Sequence, residues 1–518
     1  MGMADGFAQA AGGLAAVNVH VQPGLANALS GVLNAAKARV PVLVTVGQQV
    51  QELLAGDPFL GGELVALARP LAKGAWEARS PGELPELMAR AVRTALTPPR
   101  GPVVLSLPLD VQAAPAPAPH RPEPAPRPQA PPEEALDRAA AVLARARAPV
   151  LLAGDGVAHA GAGEILAALA DRLGAPIRGE PMAAQVPLPT DHPLWRGPLP
   201  PFGSEIAAAL AGHDVALAVG MPVFRVFGVS PGPELPDGLA LVHLEVDPRE
   251  VGKVHRPEVG LVGDPALGMA GLLRRLGPPS AASEARRAAA AAAAAAARGQ
   301  ARDRLQRDAE APPPVAGGAT VSPAAFCRAL AGAIEPRDLV VDEALTAGRG
   351  LRTAIGRRVP GTWLAHRGSA LGWGLPAAVG AKLADPGRRV MAVQGDGSLL
   401  FGVSALWTAA HEGLGLALVV ADNGGYEILR AGLEGLTGRP EGGWPGIRLD
   451  RPALDVAGIC RGFGASASRL EAAADLPEAL RDLWLRAADG PAVLVVGVAG
   501  RTPPVGYPIT DDSVPAAG

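Results

Sequence analysis

Short apolar runs alternate with amphipathic stretches along most of the chain, and this alternation restricts the fold more than any other feature. The runs are Val40 to Val46 (ending at Gly47), Gly101 to Pro108, Pro149 to Gly154, Val215 to Gly220, Leu241 to Asp247 and Arg389 to Gln394. Each has the length of a buried strand, and stretches such as Ala162 to Leu173 have the helical period that covers one. The pattern predicts an α/β protein whose parallel sheets are flanked by helices. Ligands in such sheets bind at the carboxyl ends of strands, which directs attention to Gly47, Gly220 and Gly395.

With 518 residues the chain is too long for one core. Two segments punctuate it. Ala114 to Pro132 reads APAPAPHRPEPAPRPQAPP, which can pack neither as helix nor as strand. Pro278 to Gly318 contains ten consecutive alanines, Ala288 to Ala297, then charged residues and Pro312-Pro313-Pro314. That composition predicts a connecting helix that ends in a loop. The predicted layout is therefore three domains, 1–112, 133–278 and 319–510, joined by linkers 113–132 and 279–318.

Composition removes several classes of function. A formal net charge of −3 gives no electrostatic case for nucleic acid or an anionic membrane. Cys327 and Cys460 are too few for a disulfide framework or a cysteine zinc site. No apolar run is long enough to span a bilayer and no signal peptide opens the sequence, so a cytoplasmic enzyme is expected.

The most specific chemistry lies between Gly395 and Tyr426. Gly395-Asp396-Gly397-Ser398 leaves one apolar run, a helical stretch from Val403 to Glu412 follows, and a second run, Leu414 to Ala421, ends in Asp422-Asn423-Gly424-Gly425-Tyr426. One helix and one strand separate Asp396 from Asn423, so a βαβ unit returns both to neighbouring strand ends. An Asp carboxylate, an Asn carbonyl and a backbone carbonyl are hard oxygen ligands. With two phosphate oxygens and a water they complete an octahedron around Mg²⁺. The glycines let the backbone approach a diphosphate at a helix start. Gly-Asp-Gly by itself also makes an ordinary strand-to-loop turn, with Asp as a helix cap; the second motif at this distance favours the metal.

These motifs resemble the signature of the thiamine diphosphate enzymes, usually written GDG … NN. Within that family the sequence is similar to the benzoylformate decarboxylases. The shared stretches include Met3-Ala4-Asp5-Gly6-Phe7-Ala8, His20 ahead of Pro23-Gly24, Gly47-Gln48-Gln49, His213-Asp214-Val215, Pro222-Val223-Phe224-Arg225, Leu371 to Ala378 and Ser404 to Ala410. The resemblance implies a pyrimidine-binding domain, a Rossmann-like middle domain and a diphosphate-binding domain, the first and third sharing one fold. It implies thiamine diphosphate and Mg²⁺ as cofactors, with Asp396, Asn423 and the Gly425 carbonyl as metal ligands. Ser398 and Thr346 would contact the diphosphate beside Gly395, Gly397 and Tyr426. Leu371 would lie under the cofactor and keep its two rings folded together, although its residue type equally suits plain core packing. His20 would face the substrate, where an imidazole can hold a carboxylate or protonate a carbanion. A homodimer or homotetramer with active sites between subunits is implied as well.

Two departures from the family pattern stand out. Phe227 occupies the position of a second active-site histidine, and a benzene ring cannot relay a proton; it would instead line an apolar substrate pocket with Pro222-Val223-Phe224. The family also carries a glutamate shortly before the Ala-Asp-Gly stretch, whereas this sequence starts at Met1-Gly2-Met3 inside that helix. The resemblance therefore implies an N-terminally truncated first domain, a helix with an exposed core face, and slow turnover of the chain as it stands. Three readings remain open. They are a decarboxylase that releases carbon dioxide and an aldehyde from a 2-keto acid, an acetolactate synthase-like carboligase, and a cofactor-binding protein with impaired catalysis. Gly154-Asp155-Gly156 is too short to be a dinucleotide fingerprint.

Overall fold

The structure, a computed structural model, describes residues 1–500 except 116, 117, 119–125, 229, 231, 312–319, 357 and 440–443. Much of the first predicted linker, Pro312-Pro313-Pro314 and the stretch 501–510 assigned to the third domain lie outside the described residues.

Three sheets form, and every pairing between their strands is parallel. The first contains β1 (Ala15–Val19), β2 (Val42–Gln48), β3 (Gly74–Glu77) and β4 (Val103–Pro108) in the order β1-β2-β4-β3. The second contains β5 (Pro149–Ala153), β6 (Ile177–Gly179), β7 (Trp195–Pro198), β8 (Val215–Val219), β9 (Ala240–Glu245) and β10 (Val259–Val262), ordered β10-β9-β8-β5-β6-β7. The third contains β11 (Thr320–Val321), β12 (Leu339–Glu343), β13 (Trp363–Ala365), β14 (Val390–Gly395), β15 (Leu416–Asp422), β16 (Ser466–Arg469) and β17 (Pro491–Val498). Its order is β11-β17-β15-β14-β12-β13, with β16 also alongside β17.

Strand periodicity explains why helices cover both faces. Successive side chains point to opposite sides, so Val340, Met391 and Val393 enter one core of the third sheet while Val341, Val390 and Ala392 enter the other. The same division places Leu151 and Val150 of β5 in separate cores of the second sheet. The order of strands reverses between β12 and β14 in the third sheet, and between β5 and β8 in the second. Ligand crevices open at such switch points.

Several expectations need correction. The predicted helix at Val403 begins sooner: a helix runs Asp396–Gly402 directly off β14, and a second runs Ala405–His411. The first turn of that helix is therefore part of the site itself. The polyalanine helix spans Ala281–Glu310 and starts in a capping box made by Ser280 and Ser283. It is more than a connector, because it packs against the Gly163–Leu173 and Pro323–Ala333 helices. The helix Gly2–Ala11 indeed has no side-chain cap, but its core face is not exposed. It lies along the Gly374–Ala384 helix so closely that a Cβ on Gly6 would sit 2.1 Å from the Ala377 carbonyl oxygen. Buried Asp5 accepts from Trp373 Nε1 at 2.9 Å across that contact.

Candidate cofactor site

Parallel pairing of β14 with β15 puts Gly395 opposite Ala421, so the two chain segments leave the sheet side by side. Asp396 then turns back toward the second segment. Its Oδ2 accepts from the Gly424 and Gly425 amides at 2.9 and 3.2 Å. Asn423 Oδ1 accepts from Gly425 N–H at 3.2 Å, and Tyr426 packs its ring over Gly397. Asp396, Asn423 and Gly425 thus share one sheet edge.

Electrostatics at this edge invite a cation. Asp396 is buried, and burial raises its pKa to about 7, with the neighbouring Asp422 carboxyl adding to the rise. Arg469 reaches Asp422 Oδ2 at 2.7 Å. Among the described residues no three His, Cys, Asp or Glu side chains cluster as a metal site. A metal here would depend on one carboxylate, the Asn423 amide oxygen and a main-chain carbonyl. That oxygen-only donor set suits a hard cation such as Mg²⁺.

Thr346 is half-buried in the loop after β12, the strand next to β14. Ser398 lies between the two strand ends, its hydroxyl 3.4 Å from the Glu343 and Gly395 carbonyl oxygens. Leu371 precedes the Gly374–Ala384 helix. It is 36% exposed and lines a cavity of about 710 Å³ with Met1, Phe7 and Phe401, so it is not ordinary core packing.

His20 and Phe227 lie elsewhere. His20 is exposed at the carboxyl end of β1, and the next residue, Val21, has a φ of 40°. A β-branched residue in that region is strained, a feature that concentrates at functional positions. Phe227 belongs to the second sheet's domain, is 46% exposed and meets Phe202 edge-on. Val223 and Phe224 are 4% and 6% exposed and belong to the core beneath β8, so of these three side chains Phe227 alone is exposed. The packing of Met221 and Leu241 around them decides this.

Sequence reasoning overlooked Glu343 and Asn34. Glu343 follows the apolar run Leu339-Val340-Val341 and Asp342, and a carboxylate at the end of a buried strand was a usable signal. Asn34 has no local signature, being one polar residue in the long helix Val21–Lys37.

Comparison with known proteins shows the family. Three models of the thiamine pyrophosphate enzymes match the chain: the N-terminal TPP binding domain over residues 1–61, the central domain over 136–272 and the C-terminal TPP binding domain over 348–496. The chain is also 35% identical over 501 residues to benzoylformate decarboxylase of Pseudomonas aeruginosa, covering 96% of this chain and 89% of that protein. It belongs to the thiamine pyrophosphate enzyme family. As a thiamine pyrophosphate enzyme it is also similar to the acetolactate synthase large subunit of Corynebacterium glutamicum, at 28% identity over 82% of this chain and 67% of that one. The crystal structure of benzoylformate decarboxylase from Polynucleobacter necessarius superposes with a TM-score of 0.85 and 26% identity, covering 97% of this chain and 90% of the other. Among the described residues no helix is long and apolar enough to cross a membrane.

Proposed function

We propose that the chain is a magnesium-dependent 2-keto acid decarboxylase that prefers aromatic or bulky apolar substrates to pyruvate. The observation that carries the reading is the meeting of Asp396, Asn423 and Gly425 at one strand edge, with Asp396 buried and short of positive charge. Thiamine diphosphate, when bound, supplies a carbon nucleophile and an electron sink at its thiazolium ring. The chain does the rest. Asp396, the Asn423 amide oxygen and the Gly425 carbonyl would hold Mg²⁺, and Ser398 and Thr346 would orient the diphosphate. Leu371 would support the rings. The His20 imidazole, exposed at the end of β1, can hold a substrate carboxylate or deliver a proton. The aromatic preference draws on the relative named benzoylformate decarboxylase and on the half-exposed Phe227. A dimer or tetramer with sites shared between subunits and a cytoplasmic location belong to the same reading.

Carboligation is the second reading, favoured by the acetolactate synthase relative and by a phenyl ring in place of a proton-relaying side chain. Incubation with thiamine diphosphate and either phenylglyoxylate or pyruvate, with Mg²⁺ or with a chelator, separates the two. The expected result is Mg²⁺-dependent benzaldehyde at a kcat/KM at least about tenfold above that for pyruvate. A 2-hydroxy ketone as main product favours carboligation, and a clear preference for pyruvate refutes the substrate class.

A further inference from the structure

We propose that Glu343 is a positioning residue: its carboxylate, with Asn34 on the opposite side, holds the turn that presents Leu371. The inference rests on the reading of Leu371 as the support beneath the cofactor rings.

Glu343 is 1% exposed at the end of β12. Its Oε1 accepts from Gly372 N–H at 2.7 Å, and its Oε2 accepts from Gly374 N–H at 2.6 Å and from Gln394 Nε2 at 2.7 Å. Among the described residues no Lys, Arg or His forms an ion pair with it. Burial pushes its pKa up to about 7 against the donors of Gly374, Gly372, Trp373 and Gln394. A buried carboxylate is a costly way to pin a turn, and here both oxygens are used for that purpose.

The turn needs holding. Ser369 and Gly372 have φ values of 59° and 85°, so a left-handed residue lies on each side of Ala370-Leu371. At Gly372 a Cβ would come within 2.5 Å of Phe401 Cβ, which shows how hard the turn presses on the helix that begins at Asp396. From the other side Asn34, 2% exposed, donates through Nδ2 to the Ala370 carbonyl at 3.0 Å, and its Oδ1 accepts from Ala370 N–H at 3.3 Å. Both neighbours of Leu371 are therefore fixed while its side chain stays open to the cavity. This is a rigid backbone under a free apolar side chain. Gln394 links the same carboxylate to the strand end two residues before Asp396, so ring support and metal edge share one post.

The test compares two ligands in the presence of Mg²⁺: thiamine diphosphate, which has rings, and inorganic diphosphate, which has none. Glu343→Gln preserves shape but leaves one acceptor oxygen facing three donors. Calorimetry should show thiamine diphosphate affinity falling about tenfold while inorganic diphosphate affinity changes less than about twofold. Asn34→Ala should show the same selectivity at about threefold, and it decides the matter if Glu343→Gln does not fold. Equal weakening of both ligands, which a merely structural residue would cause, overturns the proposal, and so does no weakening. If the unmodified chain binds neither ligand, the functional reading falls, and this inference falls with it.

Discussion

Two Gly-Asp-Gly turns occupy corresponding places in this molecule and behave in opposite ways. Gly154-Asp155-Gly156 follows β5 at the switch point of the second sheet, and Gly395-Asp396-Gly397 follows β14 at the switch point of the third. In each, a buried Asp opens a helix directly off a strand. Asp155 is fully engaged. Its Oδ2 pairs with Arg367 Nη1 at 2.6 Å, and its oxygens accept from the Ala184 and Gln185 amides at 3.1 and 3.0 Å. Burial opposes its ionisation, but Arg367, His159 and those amides override burial and hold its carboxyl below the usual range. Arg367 also pairs with Glu180, which burial still pushes up to about 6. Asp396 has a second carboxyl beside it instead of a guanidinium, and its pKa moves the other way. The same tripeptide is thus a domain clamp in one sheet and the proposed cation site in the other. Partner charge distinguishes them.

The largest effect should come from breaking the clamp. Asp155→Ala leaves buried Arg367 with one carboxylate partner fewer and orphans the Ala184 and Gln185 amides. The expected loss is about 3–5 kcal/mol of unfolding free energy, read by denaturant unfolding, with thiamine diphosphate affinity unchanged in the folded fraction. A loss below about 1 kcal/mol would mean that water or a rearranged Arg367 already compensates.

Asp396→Ala should do the reverse. Mg²⁺-dependent thiamine diphosphate affinity should fall about a hundredfold or more, since the metal loses its one charged protein ligand. The unfolding midpoint should hold or rise, because a buried, unneutralised carboxylate is removed. Equal affinity in the two proteins would remove the metal assignment and make the two turns alike.

A third buried acid gives an intermediate case. Asp5 accepts from two neutral side-chain donors, Gln9 Nε2 at 2.8 Å and Trp373 Nε1 at 2.9 Å, and burial raises its pKa to about 6 despite them and the nearby Met1 ammonium. Because the folded pKa lies above the unfolded one, the stabilising contribution is complete below the unfolded value of 3.8 and is lost as pH rises through about 6. Replacement by Asn removes this dependence. The stability of the unmodified chain relative to Asp5→Asn should fall by roughly 2 kcal/mol between pH 4 and pH 8. A difference that does not change with pH would mean that the surrounding groups fully offset the burial of Asp5 and would group it with Asp155.

The parallel sheets, the βαβ unit carrying Asp396 and Asn423, and the existence of a polyalanine helix were legible in the sequence alone. Those features follow from the period of apolar residues, from Gly and Pro punctuation and from ligand types spaced within one supersecondary unit, all of them local. Tertiary packing decided which Gly-Asp-Gly turn pairs with a guanidinium, because Arg367 stands 212 positions from Asp155. It also decided that Val223 and Phe224 are core, that the helix Gly2–Ala11 is covered, and that the Leu371 turn is held from 336 positions away by Asn34. Burial and charge pairing depend on which distant segments pack together. Periodicity carries no information about that.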